Sequence, residues 1–492
     1  MESTLHAGRE ARPSLVLLAT SLGVLIAQVD TSVVTIAAKQ IGSDLHASVS
    51  GLQWMVDAYN VTYAALLLTG GTLGDICGRR RVFSWGIALF ALGSVMCALA
   101  PGIGVLLAGR TLSGVGAALE LTTSLVLLTV AYPESGPRQR ALGIWASCNG
   151  IAFIVGPTLG GLLVHYVGWR SIFYLVLPLC AAALWLARNA VEESRSDDGR
   201  TLDIPGQTAA VVALGSFAFV AIEGPHLGWT SPWVLAAAAA AALAGLVFAR
   251  LQRANPAGLV PFALFGSRPF SAALAIAGLM TFGMYALLFL VPLYFQTMRG
   301  QSALMAGIHL LPLSVAFVIV SRWNGAIVRT LGSRITMATG MAAMAVGEGL
   351  CAAFSSHANA WTIATALCVT GVGLGLNTAP VNSVAVANVT RERAGTASGL
   401  LNTARMVGAT FGVAILGAVF AHFAGQAGAA EHFLDGMRPA LAVGGAAELA
   451  GALIALRFIE RDSGDVRTIR RRAGDGREKS RLMRRPARNV VQ

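Results

Sequence analysis

Charged side chains are scarce in this 492-residue chain, at 12% of its residues, whereas hydrophobic residues make up 55%. An ordinary soluble domain carries about 25% charged residues. A soluble protein so poor in charge could not cover its surface with polar groups. The composition therefore excludes a soluble globular protein and requires lipid as part of the solvent.

Three further absences narrow the function. The six Cys form no CxxC pair, so we expect neither a disulfide framework nor a metal site. No glycine-rich loop ends in the lysine of a phosphate-binding loop, which argues against direct use of ATP, and no hydrolase triad or other sign of a cofactor is found. The loops between apolar runs are short, which argues against the alternatives from another class, a membrane-embedded enzyme or a non-transporting membrane sensor.

Long apolar runs recur from one end of the chain to the other. Each has roughly 18–28 residues, enough to span a hydrocarbon core of about 30 Å at about 1.5 Å per residue. The first follows Arg9 and Arg12 without a cleavage site, so we expect an uncleaved helix. We predict about fourteen transmembrane helices, over residues 15–37, 52–73, 82–100, 103–130, 141–164, 171–190, 206–223, 232–250, 270–292, 303–325, 335–354, 360–387, 397–421 and 437–458.

The positive charges predict how these helices are oriented. With the N-terminus inside, the predicted inner loops and chain ends hold most of the 36 Lys and Arg, as cytosolic segments do. The predicted outer loops hold only Lys39, Arg170, Arg299 and Arg438. We therefore expect a multi-pass protein of a bacterial-type inner membrane with both termini in the cytosol. The net charge of +12 then reflects inner loops and a basic cytosolic tail at 463–492, with no nucleic acid as partner.

An internal repeat relates the two halves of the chain. Three segments recur in order at nearly constant spacing: Gly71–Gly78 with Gly325–Gly332, Ser113–Leu119 with Thr370–Leu376, and Val155–Gly160 with Val407–Gly412. Internal repeats around a central site are typical of transporters. We predict an all-α membrane protein with two pseudo-symmetric six-helix bundles, at 1–190 and 261–462, and two inserted helices within 191–260.

Several motifs resemble those of the major facilitator superfamily, over nearly the whole chain. Its signature inner loop is similar to the turn that contains Gly71, Gly74, Asp75, Gly78, Arg79 and Arg80, which we expect to act as a gating loop. Its buried-arginine motif resembles Arg110–Gly116, and its antiporter motif resembles the segment with Gly150, Gly156, Pro157, Gly160 and Gly161. Asp30–Val34 and Gly395–Gly408 resemble the fourteen-span drug/proton antiporter branch, from which Lys39-Gln40 and Thr122 depart.

Acidic residues inside the predicted helices are costly in a bilayer and therefore point to function. The resemblance places Asp30, Asp57 and Glu120 beside the central cavity, where with Arg110 they are expected to couple transport to protons. Glu348 and Glu448 fall on peripheral helices, where a structural pairing role is expected.

Substrate contacts are predicted on three helices of the second half. Phe282, Met284 and Tyr285 are expected to form an apolar wall, and Asn377, Asn382 and Arg405 to add polar contacts. The predicted function is proton-coupled export of small amphiphilic or cationic molecules such as drugs and dyes. A dedicated exporter of one native metabolite is the alternative. The expected partners are the substrate, protons and the lipid bilayer, with no required protein partner.

Overall fold

Helices make up all of the regular structure in the part of the chain that the computed structural model describes, residues 13–195, 202–255, 258–355, 358–389, 393–424 and 432–460. The predicted tail at 463–492 lies outside these residues. The first eight α-helices are α1 Pro13–Asp44, α2 Val49–Cys77, α3 Arg79–Ala98, α4 Ile103–Ala131, α5 Ser135–Tyr166, α6 Arg170–Ala190, α7 Ile204–Leu227 and α8 Pro232–Ala254. The others are α9 Arg268–Leu293, α10 Ala303–His309, α11 Leu311–Ala352, α12 Ala360–Ala387, α13 Ala394–Phe411, α14 Gly417–Ala424 and α15 Phe433–Phe458.

Twelve helical segments of the described residues are long and apolar enough to cross a membrane. The 29-residue α2 is not among them, because Gln53, Asp57 and Asn60 dilute its apolar composition. Residues 303–352 count as one segment of 50 residues, although the backbone turns at Gly332 inside it. The prediction of fourteen spans therefore stays a prediction.

Large apolar side chains are exposed on the outer surface of the helices, which indicates the solvent that surrounds the protein. On α8, the apolar side chains of Leu243 and Leu246 are 65% and 62% exposed. Six of the nine Trp are also exposed, and five of them lie near helix ends, as in the aromatic belts of membrane proteins. These outward apolar faces are suited to lipid, so the chain is a multi-pass membrane protein.

Two positions of the predicted repeat have the same unusual backbone. Gly78 has φ 100°, between α2 and α3, and Gly332 has φ 78°, inside α11. Only glycine adopts such positive φ values readily. The repeat therefore ends a helix at equivalent places in the two halves of the chain.

Two helices continue into π-helical turns. One, Tyr294–Met298, follows α9, and the other, Gly412–Leu416, joins α13 to α14. Such turns occur frequently at functional sites. Both turns supply backbone carbonyls to the contacts between the two halves of the chain.

Candidate functional site

A cavity of about 530 Å³ lies between the two halves of the chain. The first half contributes the C-terminal ends of α2 and α4 and Trp145 of α5, and the second half contributes the first turns of α13. Its wall is formed mainly by Leu67, Leu68, Gly71, Thr72, Asp75, Leu121, Thr122, Leu125, Val126, Trp145, Asp203, Leu259, Thr396, Ser398, Gly399 and Asn402. These residues all belong to the end of the molecule that contains the loop after α2.

The opposite end is closed by hydrogen bonds between the two halves. Lys39 Nζ donates to the backbone carbonyl of Gln296, and Gln296 Nε2 donates to the carbonyl of Ile36 at 3.0 Å. Gln53 Nε2 donates to the carbonyl of Val413 at 3.3 Å. Gln296 and Val413 lie in the two π-helical turns, whose loosened backbone leaves carbonyls free to accept side-chain donors. The structure is therefore closed at one end of the helices and hollow at the other.

The predicted antiporter motif packs α5 between α1 and α10. Gly156 and Gly160 lie against Ser32 and Val33 of α1, and a Cβ on Gly161 would be 2.7 Å from a backbone oxygen of α10. Small residues allow such close helix contacts. The glycines thus hold α5 against both halves of the chain, on the closed side of the cavity. A Cβ on Gly150 would meet only side chains of α11, the nearer one at 3.5 Å.

Asp30 and Arg110 form a buried ion pair between α1 and α4, with side chains 2% and 1% exposed. Arg110 Nε also donates to the carbonyl of Met55 at 2.9 Å, and its guanidinium lies 4.5 Å from the centre of the Tyr59 ring. Both of these additional partners are on α2. A single guanidinium therefore connects α1, α2 and α4.

The other two predicted coupling acids lie apart from this pair. Asp57 on α2 is fully buried and its carboxyl oxygens have no hydrogen-bond partner among the described residues. It lies one turn after Gln53, on the face of α2 that meets the second half. Glu120 is equally buried and unpartnered, but it packs between Gly23 of α1 and Gly86 of α3, inside the first half.

The loop after α2 is held by ion pairs on its own half of the chain. Asp75 accepts from Arg79 at 2.9 Å. Glu193, just after α6, accepts from the backbone N–H of Arg80 at 3.0 Å and lies 3.8 Å from the Arg80 guanidinium. A Cβ on Gly78 would be 2.7 Å from the Glu193 carboxyl group. Glycine is therefore required at that position both for its backbone angle and for this contact.

The predicted substrate residues lie deeper than the cavity. Asn377 and Asn382 donate to backbone carbonyls on their own helix, at 3.0 and 2.8 Å. Phe282, Met284 and Tyr285 pack in the core around α9. Of the residues predicted for the site, the cavity wall includes Gly71 and Asp75 alone within the described part of the chain.

Arg405 lies one turn beyond the cavity residue Asn402, to which its Nη1 donates at 3.4 Å. Its Nε has no hydrogen-bond partner among the described residues. The hydroxyls of Tyr63 on α2 and Tyr285 on α9 are within electrostatic range of it. Arg405 is thus a half-buried cation where α2, α9 and α13 meet, at the deep end of the cavity.

Sequence reasoning missed the closing contacts and most of the cavity wall. Gln53 was visible as a polar residue inside an apolar run, and Lys39 as a departure from the family pattern. The π-helical turns that accept from them leave no residue pattern. At the end of α4 the cavity is lined by Leu and Val residues, which gave no signal. Thr122 and the Gly395–Gly408 segment of α13 stood out only through the family resemblance, which did not identify them as cavity wall.

Comparison with known proteins gives concordant matches. The model of the Major Facilitator Superfamily matches residues 20–413 and 323–490. The multidrug resistance protein Stp of Mycobacterium tuberculosis is 39% identical over 409 residues, which cover 83% of this chain and 76% of that protein. The methylenomycin A resistance protein of Streptomyces coelicolor is 34% identical over 460 residues, covering 92% of this chain and 94% of that protein.

A solved structure is similar in fold. It is the inward-facing, unoccupied form of a bacterial homologue of the human lysosomal transporter Spinster, and the TM-score is 0.64. The match covers 91% of this chain and 97% of the other, at 17% sequence identity.

Proposed function

The chain belongs to the major facilitator superfamily, and we propose that it is a secondary active exporter of small amphiphilic or cationic molecules, driven by inward movement of protons. Membership of this family makes it a transporter rather than an enzyme. One relative is named for multidrug resistance, which supports a broad substrate range. Another is named for resistance to a single antibiotic and matches over more of this chain, so a dedicated exporter is the second candidate.

The proposal includes fourteen membrane spans. The twelve apolar segments become fourteen when α2 is included and residues 303–352 are divided at Gly332. Including α2 is supported by its 29 residues and its packing between α4 and α13. The matching positive φ at Gly78 supports the division at Gly332. Helices α1–α6 and α9–α15 then form two bundles of six spans.

Helices α7 and α8 form the proposed insertion between the bundles. At one end of α7, Glu223 accepts from Trp54 Nε1 of α2 at 2.9 Å. Near its other end, Gln207 Nε2 donates to the carbonyl of Ala65 of α2 at 2.8 Å. Toward the second half, Phe217 packs on Phe411 with ring centres 4.1 Å apart. We expect α7 to move with the first bundle and to slide on the second.

The proposal rests on the interface between the two halves of the chain, which is hollow at one end and closed at the other. The cavity separates the two halves at the end of the Asp75 loop, and hydrogen bonds from Lys39, Gln53 and Gln296 join them at the other. Transport by alternating access requires such an interface, which opens at one end when it closes at the other. Positive-inside orientation assigns the hollow end to the cytosol, so the exporter is in position to load substrate.

The cavity wall is suited to amphiphilic cations. Leu67, Leu125 and Trp145 supply apolar and aromatic surface, and the carboxylate of Asp75 lies at the rim. Aromatic faces and carboxylates both attract organic cations.

Proton coupling is proposed for Asp30 and Asp57. One proton that crosses about 100 mV supplies about 2.3 kcal/mol, which sustains roughly a forty-fold substrate gradient at 1.4 kcal/mol per decade. Asp30 can exchange its Arg110 partner for a proton when the helices around it move. Asp57 lies at the interface between the halves, where opening of the closed end admits water.

Transport in everted membrane vesicles tests the function directly. Vesicles that contain the protein should accumulate tetraphenylphosphonium or ethidium when respiration acidifies the lumen, and a protonophore should release the accumulated cation. Vesicles without the protein are the control. Accumulation that survives the protonophore contradicts proton coupling. Accumulation of one tested metabolite and none of the cations favours the dedicated exporter.

A further inference from the structure

Two glutamates are buried side by side in the second half of the chain. Glu348 lies on α11 and Glu448 on α15, and both are fully buried. A Cβ on Gly283 of α9 would be 2.5 Å from an oxygen of Glu348 and 2.6 Å from an oxygen of Glu448. The two carboxyl groups therefore meet at one point, where α9, α11 and α15 converge.

No positive charge compensates these acids in the described part of the chain. Their four oxygens accept no hydrogen bond from another described group, and no described Lys, Arg or His forms an ion pair with them. Beside the pair, the other titratable group among the described residues is the thiol of Cys351, one turn along α11. The remaining neighbours are uncharged: Gly283 of α9 and Gly444 of α15 pack against the carboxyl groups, and Leu416 lies next to Gly444. Two ionised carboxylates at such a site repel each other, so it must hold a proton or a cation.

The surroundings favour a proton over a metal ion. Hard cations such as Ca²⁺ take about 6–8 oxygen ligands, whereas these two side chains supply four oxygens between them. No group of three metal-ligating residues occurs within the described ranges. Close packing of Gly283 and Gly444 against the carboxyl groups also restricts the space for further ligands. A shared proton requires neither space nor further ligands, as in other pairs of adjacent buried acids.

We propose that Glu348 and Glu448 form a proton-binding site in which the protonated carboxylic acid donates a hydrogen bond to the adjacent carboxylate. The inference rests on the proposed function for its role, since the bound proton takes part in coupling. When the proton leaves to water, two carboxylates remain and repel each other across α11 and α15. Gly283 of α9 packs against both carboxyl groups, so this repulsion acts on α9. The backbone of Phe282, the preceding residue, packs directly on the π-helical turn at Gly412. Proton loss thus reaches the interface between the halves.

Infrared spectroscopy of the purified protein in lipid nanodiscs tests the site without transport. Wild-type protein at neutral pH should show the C=O stretch of a buried protonated carboxyl group. Asp57 and Glu120 also contribute to this band, so Glu348→Gln and Glu448→Gln should each remove or shift one component of it. Both variants should fold because Gln is a neutral isostere of the acid. Glu134→Gln, which changes an exposed carboxyl group on the same protein, should leave the band unchanged.

Proton release on addition of tetraphenylphosphonium, read with a pH dye in weak buffer, tests the role. Wild-type protein should release more protons than either Gln variant. The proposal is overturned if the band is unchanged in both variants, or if the wild type lacks it over the whole pH range. It is also overturned if Na⁺ or K⁺ abolishes the band. Variants that are less stable but keep the band and the proton release show a purely structural pair and also overturn it. Wild-type protein with the band but without release contradicts the proposed function and leaves the proton site in place.

Discussion

Replacing Asp30 by Asn tests the buried ion pair, because Arg110 then loses the one carboxylate that contacts it among the described residues. Breaking a buried ion pair from one side costs about 3–5 kcal/mol, since an uncompensated charge stays buried. Arg110 keeps the carbonyl of Met55 and the ring of Tyr59 as partners. We therefore expect a loss near 3 kcal/mol, or roughly a hundredfold in the ratio of folded to unfolded protein.

A double variant separates stability from coupling. Asp30→Asn combined with Arg110→Gln removes both charges, and replacing a buried pair by neutral groups is often close to neutral for stability. We expect the double variant to recover most of the stability that Asp30→Asn loses, measured by denaturant unfolding in detergent micelles. Equal losses in the single and double variants would show that the ion pair contributes little.

Transport assays complete the test of Asp30. Asp30→Asn should still bind tetraphenylphosphonium in nanodiscs, because the cavity wall does not include Asp30. In everted vesicles the same variant should fail to concentrate the cation, and the double variant should also fail despite its recovered stability. Proton-coupled accumulation by both Asp30→Asn and Asp57→Asn would refute the assignment of coupling to these residues.

Four other substitutions or truncations address the gates and the tail. Asp75→Asn removes the partner of Arg79 and should reduce dye efflux from cells at normal membrane abundance on immunoblots; normal efflux at that abundance contradicts a gating role. Lys39→Ala removes a donor at the closed end, so a maleimide should label a cysteine placed there several-fold faster, and an unchanged labelling rate argues against a gate. Gly161→Val should push α5 from α10 and abolish efflux, whereas Gly143→Ala on the same helix, with no atom within 4 Å of the added Cβ, should be silent; efflux by the Val variant refutes close packing there. Truncation after Asp462 should leave efflux intact in cells, and a stably inserted but inactive product would assign the tail a role.

The apolar runs in the sequence predicted the helical fold because a lipid bilayer allows few kinds of secondary structure. Only helices satisfy their backbone hydrogen bonds within one segment in lipid, so apolar runs identify helices directly. The same rule identified α2, predicted at 52–73 and found at Val49–Cys77, although Gln53, Asp57 and Asn60 lower the apolar content of this largely buried helix. Helix ends were also predicted too short: α1 extends to Asp44, beyond the predicted end at residue 37.

The site was less accessible to sequence reasoning because it depends on which helices face each other. Asp30 and Arg110 were expected to act together beside the central cavity, and the structure pairs them. Glu120 was also expected beside the central cavity, yet its side chain packs between α1 and α3, inside the first half. A residue's depth follows from counting along a helix, whereas the direction of its side chain depends on packing that one chain's periodicity does not fix.

The internal repeat suggests how proton chemistry is divided between the two halves. Glu348 follows Ser94 at the same spacing that separates Gly78 from Gly332, and Ser94 is also fully buried without a hydrogen-bond partner. A hydroxyl can stay buried at moderate cost, but a carboxylate there needs a proton or a counter-charge. The first half supplies a counter-charge to one of its buried acids, Asp30, through Arg110, whereas the second half places Glu448 beside Glu348. The double variant Glu348→Ser with Glu448→Ala would remove both acids from the second half and leave a serine at the position equivalent to Ser94. If the acid pair holds a transported proton, this variant should keep substrate binding and lose part of the substrate-induced proton release, and unchanged release would assign all coupling to the first half.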